Sequence, residues 1–452
     1  MYLLISFIAL IFSFILFKKV SGSLKLTQLN MISWLFFYSL ILQSFIASIL
    51  VVYNIDNQYM INKLSDENSR IYGWLAVQYT LVMMPLGMLF VVRLFGYKHN
   101  NNIFQRYVHS DIVSFLSIKD TYIRYPLYIF SVISILSVIY VLNALESMPI
   151  SGVIQGLAHE ELAALRQSAS RDFQGNIYIR NIFALGLTPI LAYISFAYYK
   201  MTKNKFDLIW FLLLFIATLF ILTYNVAKSP FIQFLLGFLF LNILLNGSIK
   251  RKTLFIFFGL VILLFVFLYF VISNITDPSI LFSYNSGILG RILLSQAAGT
   301  YLSFDLFPRG IDHIGFASMS GLLNSIFNIE SVDRSARLLM DNYFHSKIIN
   351  GTGGVINSLF IGEAWANFGL IGVLVSPFYI GMIIQTLFMF FLKMPKTPLL
   401  LGLFAFFSYK GGVMGGFNDY IYSPGYTVLV LLFLIIYFSG LFFKQLKKRS
   451  IG

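Results

Sequence analysis

Arg166, Arg171 and Arg180 lie in one polar stretch of this chain, Lys228 in a short polar turn, and Arg291, Arg334 and Arg337 in a longer polar stretch. A guanidinium holds a carboxylate or phosphate bidentately and an ammonium holds a phosphate as a point charge, so this set suits an oxygen-rich anion. The longer stretch also carries Asp305, Asp312 and His313. It ends on Glu363, within Gly362-Glu363-Ala364-Trp365-Ala366-Asn367-Phe368-Gly369. Glu363 stands at the edge of an apolar run, and partial desolvation makes a carboxylate a better general base. Pairing with one of the arginines is the competing reading, and Asp305, Asp312 and His313 are rival acid–base groups.

Spacing says how such residues are presented. Ser331-Val332-Asp333 reads as a helix start, after which Arg334, Arg337, Asp341 and His345 fall on one face. Either Arg337 pairs with Asp341 four residues on, or the stripe faces a groove beside Leu338, Leu339 and Met340. In the first stretch Ile154, Leu157, Leu162, Leu165 and Ala169 share one arc of a helix and His159 and Arg166 another, the pattern of a helix lying along a membrane interface. Arg180 sits near the start of an apolar run, where an unpaired charge is costly. It either binds an anion or is satisfied by snorkelling or by Asp172. Lys228 is held near the bilayer boundary by Asn225-Val226-Ala227-Lys228-Ser229-Pro230, and Arg291 lies in a segment, 280–302, read as re-entrant or interfacial. Gly351-Thr352-Gly353-Gly354 lacks a following Lys and reads as a flexible approach to the membrane rather than a phosphate cradle.

The elements that must position these groups follow from composition. Hydrophobic residues make up 58% of the chain and charged residues 11%, less than half the charged share of soluble domains, so this is an integral membrane protein. Eleven runs are long enough to span a bilayer, roughly 1–17, 31–53, 71–95, 126–145, 178–199, 206–223, 231–246, 253–273, 367–392, 398–415 and 425–443. Lys18 and Lys19 follow the first run rather than precede it, so it reads as a retained helix with its N-terminus outside. Alternate loops then hold 20 of the 32 basic residues with 3 acids, against 12 basic and 15 acidic residues on the other side. The positive-inside rule puts the first set, and the C-terminus, in the cytoplasm. The expected architecture is an all-α polytopic bundle, one integral membrane domain over 1–452, with outer loops at 146–177 and 274–366.

Orientation and attraction to anionic lipid absorb the basic excess, and nucleic acid is not a partner this charge pattern calls for. The chain has no cysteine, so disulfides and thiolate chemistry are excluded. Three scattered acids on the inner face cannot build a paired-carboxylate metal site for a nucleotide-sugar, and no phosphate loop ending in Lys-Ser or Lys-Thr occurs there. Any group transferred must arrive already activated.

The span pattern, the long late outer loop, the outer arginines and the segment Glu363-Ala364-Trp365-Ala366-Asn367-Phe368-Gly369-Leu370-Ile371-Gly372 together resemble the Wzy-type oligosaccharide repeat-unit polymerases of bacterial O-antigen (lipopolysaccharide) and capsule synthesis. The likeness covers most of the chain in architecture and residues 361–372 in letters, with support from 166–180. It implies a GT-C-like fold in the bacterial inner membrane, multi-pass, with its site on the periplasmic or outer face. It also implies a glycan moved from undecaprenyl pyrophosphate onto the nonreducing end of an incoming lipid-linked repeat, with no metal or other cofactor. A chain-length regulator and a flippase of the same pathway are the implied partners, beside the lipid bilayer. On this reading Arg166, Arg171, Arg180, Lys228, Arg291, Arg334 and Arg337 hold pyrophosphate. Glu363 is the base, with His313 or Asp305 in reserve, and Trp365, Asn367 and His159 meet the glycan. An O-antigen ligase and a flippase or transporter are the alternatives. No convincing internal repeat occurs, and Lys410 alone lies deep in a span, as a cavity residue or a partner for Glu363 or Asp419.

Overall fold

A computed structural model describes residues 1–114, 121–157, 159–171, 173–273, 283–285 and 287–449, and among them the regular structure is helical, apart from one isolated antiparallel bridge between Leu359 and Met414. In hydrocarbon every backbone polar group must be satisfied within the chain, and these Leu-, Phe- and Ile-rich runs do so as helices. The first half holds α1 (Tyr2–Val20), α2 (Met31–Val52), α3 (Asn68–Leu94), the short α4 (Asn101–His109), α5 (Thr121–Asn143), α6 (His159–Arg171), α7 (Ile179–Thr202) and α8 (Lys205–Thr223). The second half holds α9 (Lys228–Asn246), α10 (Arg251–Ser273), α11 (Ala298–Leu306), α12 (Ser335–Ile349), α13 (Phe360–Lys393), α14 (Pro398–Lys410) and α15 (Pro424–Arg449).

Nine helices among the described residues are long and apolar enough to cross a membrane: α1, α2, α3, α5, α7, α8, α9, α13 and α15. Each coincides with an expected span. The remaining two expected spans are helical as well. Residues 253–273 lie in α10, while α14 has 13 residues and, at ~20 Å, is shorter than the ~30 Å hydrocarbon core.

The bundle is organised on α3 and α13. A Cβ on Gly87 would overlap the carbonyl of Phe378, and one on Gly381 would overlap the carbonyl of Met84. Each helix thus offers a glycine notch to the other's backbone, the close approach that small residues allow between membrane helices. At 34 residues α13 is ~50 Å long, well beyond the hydrocarbon core, so part of it projects from the membrane. It breaks at Gly369, where φ is 57°. Residues 360–368 therefore form a separate upper segment, and Glu363 lies in its first turn rather than at the start of the lipid-crossing part.

Above the bundle sits a second layer. Segment 288–306 is not one continuous helix: Ile288–Ser295 turns first, and α11 follows after a break at Gln296-Ala297. All nine residues of α11 are buried, so it forms the centre of the polar island; Ile280, Leu281 and Phe282 lie outside the described residues. In the earlier loop α6 begins at His159, later than the hydrophobic arc suggests, because Pro149–Ile154 forms its own short helix and Gly156 turns the chain at φ 70°. The arc still faces inward: Leu162 and Ala169 are buried, Leu162 against Val226 and Val153.

Candidate active site on the polar island

At the top of α13 the letters of the segment 362–372 each have a local task. Gly362 packs on the backbone of Thr300 in α11. Trp365 stacks on Phe304 with ring centres 4.8 Å apart and donates its indole N–H to the Phe307 carbonyl at 3.0 Å. Asn367, buried, donates to Asn418 Oδ1 at 2.9 Å and accepts from Ser318 Oγ at 3.1 Å. Gly372 leaves room for the Ala364 carbonyl across the break at Gly369. Trp365 and Asn367, expected to meet a glycan, are therefore joined to protein, Trp365 half-buried and Asn367 fully so.

Glu363 is 1% exposed and both its oxygens are taken. Arg334 Nε donates to Oε1 at 2.8 Å and Arg334 Nη2 to Oε2 at 2.9 Å, the bidentate fork, while the Asn418 backbone N–H donates to Oε2 at 2.9 Å. Arg334 Nη1 reaches Asp419 Oδ1 at 2.9 Å. Burial alone would lower the Arg334 guanidinium, but its bonds to Glu363 and Asp419 carry it above its ordinary value. A Cβ on Gly416 would overlap both Arg334 Nη2 and Glu363, so glycine is required beside the pair. The competing reading of Glu363, as an arginine's partner, is the observed one, and Arg334 is committed to it. A carboxylate with three donors on it has little lone-pair capacity left for an acceptor proton.

Asp305 is likewise saturated. It accepts from the backbone N–H groups of Ser65 and Asp66, the hydroxyls of Ser65, Ser69 and Tyr343, and Arg309. Burial raises its carboxyl, but the Tyr343 hydroxyl and the two N–H groups bring it below the ordinary aspartate range. A carboxylate stabilised in this way is a weak base, and its partners show what it does: it ties the 65–69 turn to α11 and α12.

His313 differs from both. It is exposed, edge-on to Trp365 with ring centres 5.3 Å apart, and its Nδ1 lies 3.4 Å from the Ala366 carbonyl. A carbonyl only accepts, so Nδ1 is the donor in this contact. Nε2 points at the notch left by Gly369, where a Cβ would press against it at 2.9 Å. Glycine there thus serves both the left-handed backbone and the imidazole.

The arginines part company. Arg180, 7% exposed, donates Nη1 to the carbonyls of Ser170 at 2.7 Å and Ala169 at 3.3 Å, and lies over the Phe173 ring. It caps the C-terminus of α6, satisfying carbonyls a helix end leaves open. Arg337 does not pair with Asp341, which instead meets His345 at 2.7 Å on the exposed face. Arg337 Nη1 donates to the Gly354 carbonyl at 3.2 Å. Gly354 faces Gln167 of α6, so the Gly353-Gly354 turn is a seat between α12 and α6.

Arg166 donates Nε to the Asn225 carbonyl at 3.1 Å, on the turn that leads to Lys228 at the start of α9. Among the described residues no carboxylate stands within ion-pair distance of Arg166 or Arg337. Burial lowers the Arg166 guanidinium, and the positive charge of Arg291 lowers it further. The charge of Arg291, in the other polar stretch, thus bears on Arg166. The side chains of His159, Arg171 and Lys228 lie outside the described residues; their backbones place them at the two ends of α6 and the first residue of α9. From Gly354 an extended strap of five residues, ~17 Å, leads to Leu359 and the first turn of α13.

Lys410 ends α14 exposed, paired with neither Glu363 nor Asp419, both of which Arg334 has taken. Asn418, Ser318, Ser65 and Tyr343 carry much of this architecture without having stood out in the sequence. A polar Asn418-Asp419 pair inside an otherwise apolar stretch was the available signal for the first; nothing local marks the others. Among the described residues no cluster of three or more His, Asp or Glu is placed to hold a metal ion. No family model matches this chain, and comparison with curated proteins and with solved structures finds no match.

Proposed function

We propose that this chain is a membrane glycosyltransferase of the oligosaccharide repeat-unit polymerase kind, with eleven spans and its site on the outer face of a bacterial inner membrane. It would move a growing glycan from undecaprenyl pyrophosphate to an incoming lipid-linked repeat. Arg166 supports this reading best: it is half-buried, gives Nε to a neutral carbonyl, has no carboxylate within ion-pair distance among the described residues, and feels the positive charge of Arg291. The Arg166 guanidinium, whose charge burial and a second positive charge disfavour, is stabilised by an added oxyanion, and a pyrophosphate brings one. Arg337, bonded to the Gly354 carbonyl, and Arg171 and Lys228, at the end of α6 and the start of α9, are the further cations this proposal assigns to the pyrophosphate.

The base in this proposal is His313 rather than Glu363 or Asp305, because both carboxylates are saturated by donors whereas the His313 ring is exposed. The acceptor hydroxyl oxygen bonds to the donor's anomeric carbon as the bond from that carbon to the pyrophosphate oxygen breaks. The electron pair leaves with the carrier pyrophosphate, which Arg166 and Arg291 stabilise, and the hydroxyl proton passes to His313 Nε2. Arg334 and Glu363 keep the top of α13, and so His313, in place.

The test is the glycan profile of a host with the gene deleted and then restored. Loss of long chains while single repeats still reach the surface supports polymerisation. Loss of single repeats as well, with lipid-linked material accumulating, overturns it in favour of ligation or flipping.

A further inference from the structure

Residues 314–329, Ile-Gly-Phe-Ala-Ser-Met-Ser-Gly-Leu-Leu-Asn-Ser-Ile-Phe-Asn-Ile, contain no charged side chain, although they lie outside every membrane-crossing helix. The loop they form is inside out. Two of its polar residues, Ser318 and Asn324, turn inward, while Ser325 and Asn328 beside the tip are exposed: buried Asn324 donates its side-chain amide to the Ala317 carbonyl and to Ser331 Oγ at 3.1 Å, and the Val332 N–H closes the base on the same Ala317 carbonyl at 3.0 Å. Buried Ser318 fastens that base to Asn367 and Asn418. Its apolar side chains turn outward, with Phe327 68% and Ile326 66% exposed and Phe316, Ile329 and Val332 exposed beside them. A water-facing loop of this size normally shows the opposite pattern, and a contiguous exposed apolar patch marks a contact surface.

We infer that this loop is seated in the membrane itself, its Ile326-Phe327 tip immersed in the leaflet on the island's side. Continuity selects lipid as the occupant. Phe316 meets Phe368 edge-on with ring centres 4.9 Å apart, and immediately past Phe368 the Gly369 break delivers Leu370 and Ile371, 64% and 72% exposed, onto the outward face of α13. Through Phe316 the loop's exposed apolar side thus meets the outward apolar face of a crossing helix. Glu330 and Asp333 follow at its far edge, where head groups and water begin. The internal closure on Asn324 satisfies its own amide, the Ala317 carbonyl and the Val332 and Ile329 N–H groups, which immersion would otherwise leave without partners. Such a seat puts His313, one residue before the loop, at the boundary between lipid and water.

The chain's lack of cysteine makes the test direct. Single variants Ile326→Cys, Phe327→Cys and Glu330→Cys, nitroxide-labelled in the full-length protein, are placed in phosphatidylethanolamine–phosphatidylglycerol nanodiscs. Power-saturation measurements then compare collisions with oxygen and with a water-soluble nickel chelate. Labels at 326 and 327 are expected to favour oxygen at least several-fold over the label at 330. Equal nickel access at all three positions overturns the inference. So does a short, concentration-dependent dipolar distance between labels at 327 in different molecules, which would identify a second copy of the chain as the occupant. None of these readouts depends on catalysis, so the seat and the glycosyltransferase reading fail separately.

Discussion

Arg334 and Arg166 are both arginines of the polar layer set beside apolar surface, yet the fold treats them in opposite ways. Arg334 holds Glu363 with a two-pronged fork and Asp419 with its third nitrogen, so its donors face carboxylates. Arg166 gives Nε to a neutral carbonyl and sits within reach of another arginine's field. The first arrangement is closed, and breaking it costs stability; in the second, Arg166 has no carboxylate within ion-pair distance among the described residues. Charge type does not separate scaffold from ligand site here. Whether the charge is already answered by the protein does.

The comparison breaks most visibly if activity follows the closed cluster. His313→Ala is expected to reduce chain elongation by about 10^2–10^4-fold with protein abundance unchanged, the usual loss on removing a general base. Elongation measured against protein level in isolated membranes checks this, and full activity would remove His313 from the mechanism. Arg166→Ala combined with Arg291→Ala should cost about 10^2-fold or more in elongation rate while leaving thermal unfolding in detergent near that of the parent. A large drop in unfolding temperature without a kinetic defect in the surviving protein would put these arginines with Arg334.

Arg334→Ala should do the reverse, destabilising the protein by about 3 kcal/mol because it strands the buried Glu363 carboxylate. Replacing both partners, Arg334→Met with Glu363→Met, should cost less than Arg334→Ala alone. If the single variant unfolds at the parental temperature, the pair is not the scaffold described.

Asp305 sharpens the comparison through pH. Its carboxyl is held below the ordinary aspartate value in the folded protein, so its stabilising contribution is complete above that ordinary value and is lost as pH falls through the lowered one. Asp305→Asn should therefore lower stability near neutrality and flatten the acid limb of an unfolding-temperature profile. An unchanged acid limb would place the sensitivity elsewhere. The smallest effect belongs to His345→Ala: its pairing with Asp341 is exposed on both sides, and such pairs contribute about 0.5 kcal/mol or less.

By itself the sequence determined the multi-pass membrane class, the helical architecture and the positions of the nine helices that, among the described residues, are long and apolar enough to cross, because hydropathy over some twenty residues is a local property that lipid reads directly. It also marked Glu363, Asp305, His313 and the arginines as the groups worth locating. Their allocation was not local. Nothing in the letters distinguishes Arg180, which caps α6, from Arg166, fourteen residues earlier, which reaches the Asn225 carbonyl. Nor does spacing reveal that Asp341 prefers His345 to Arg337 at the same four-residue separation. Bilayer burial is decided residue by residue along the chain. The partner of a charge is decided by which distant segments the packing of α3, α11 and α13 brings within about 3 Å, and only the tertiary structure contains that.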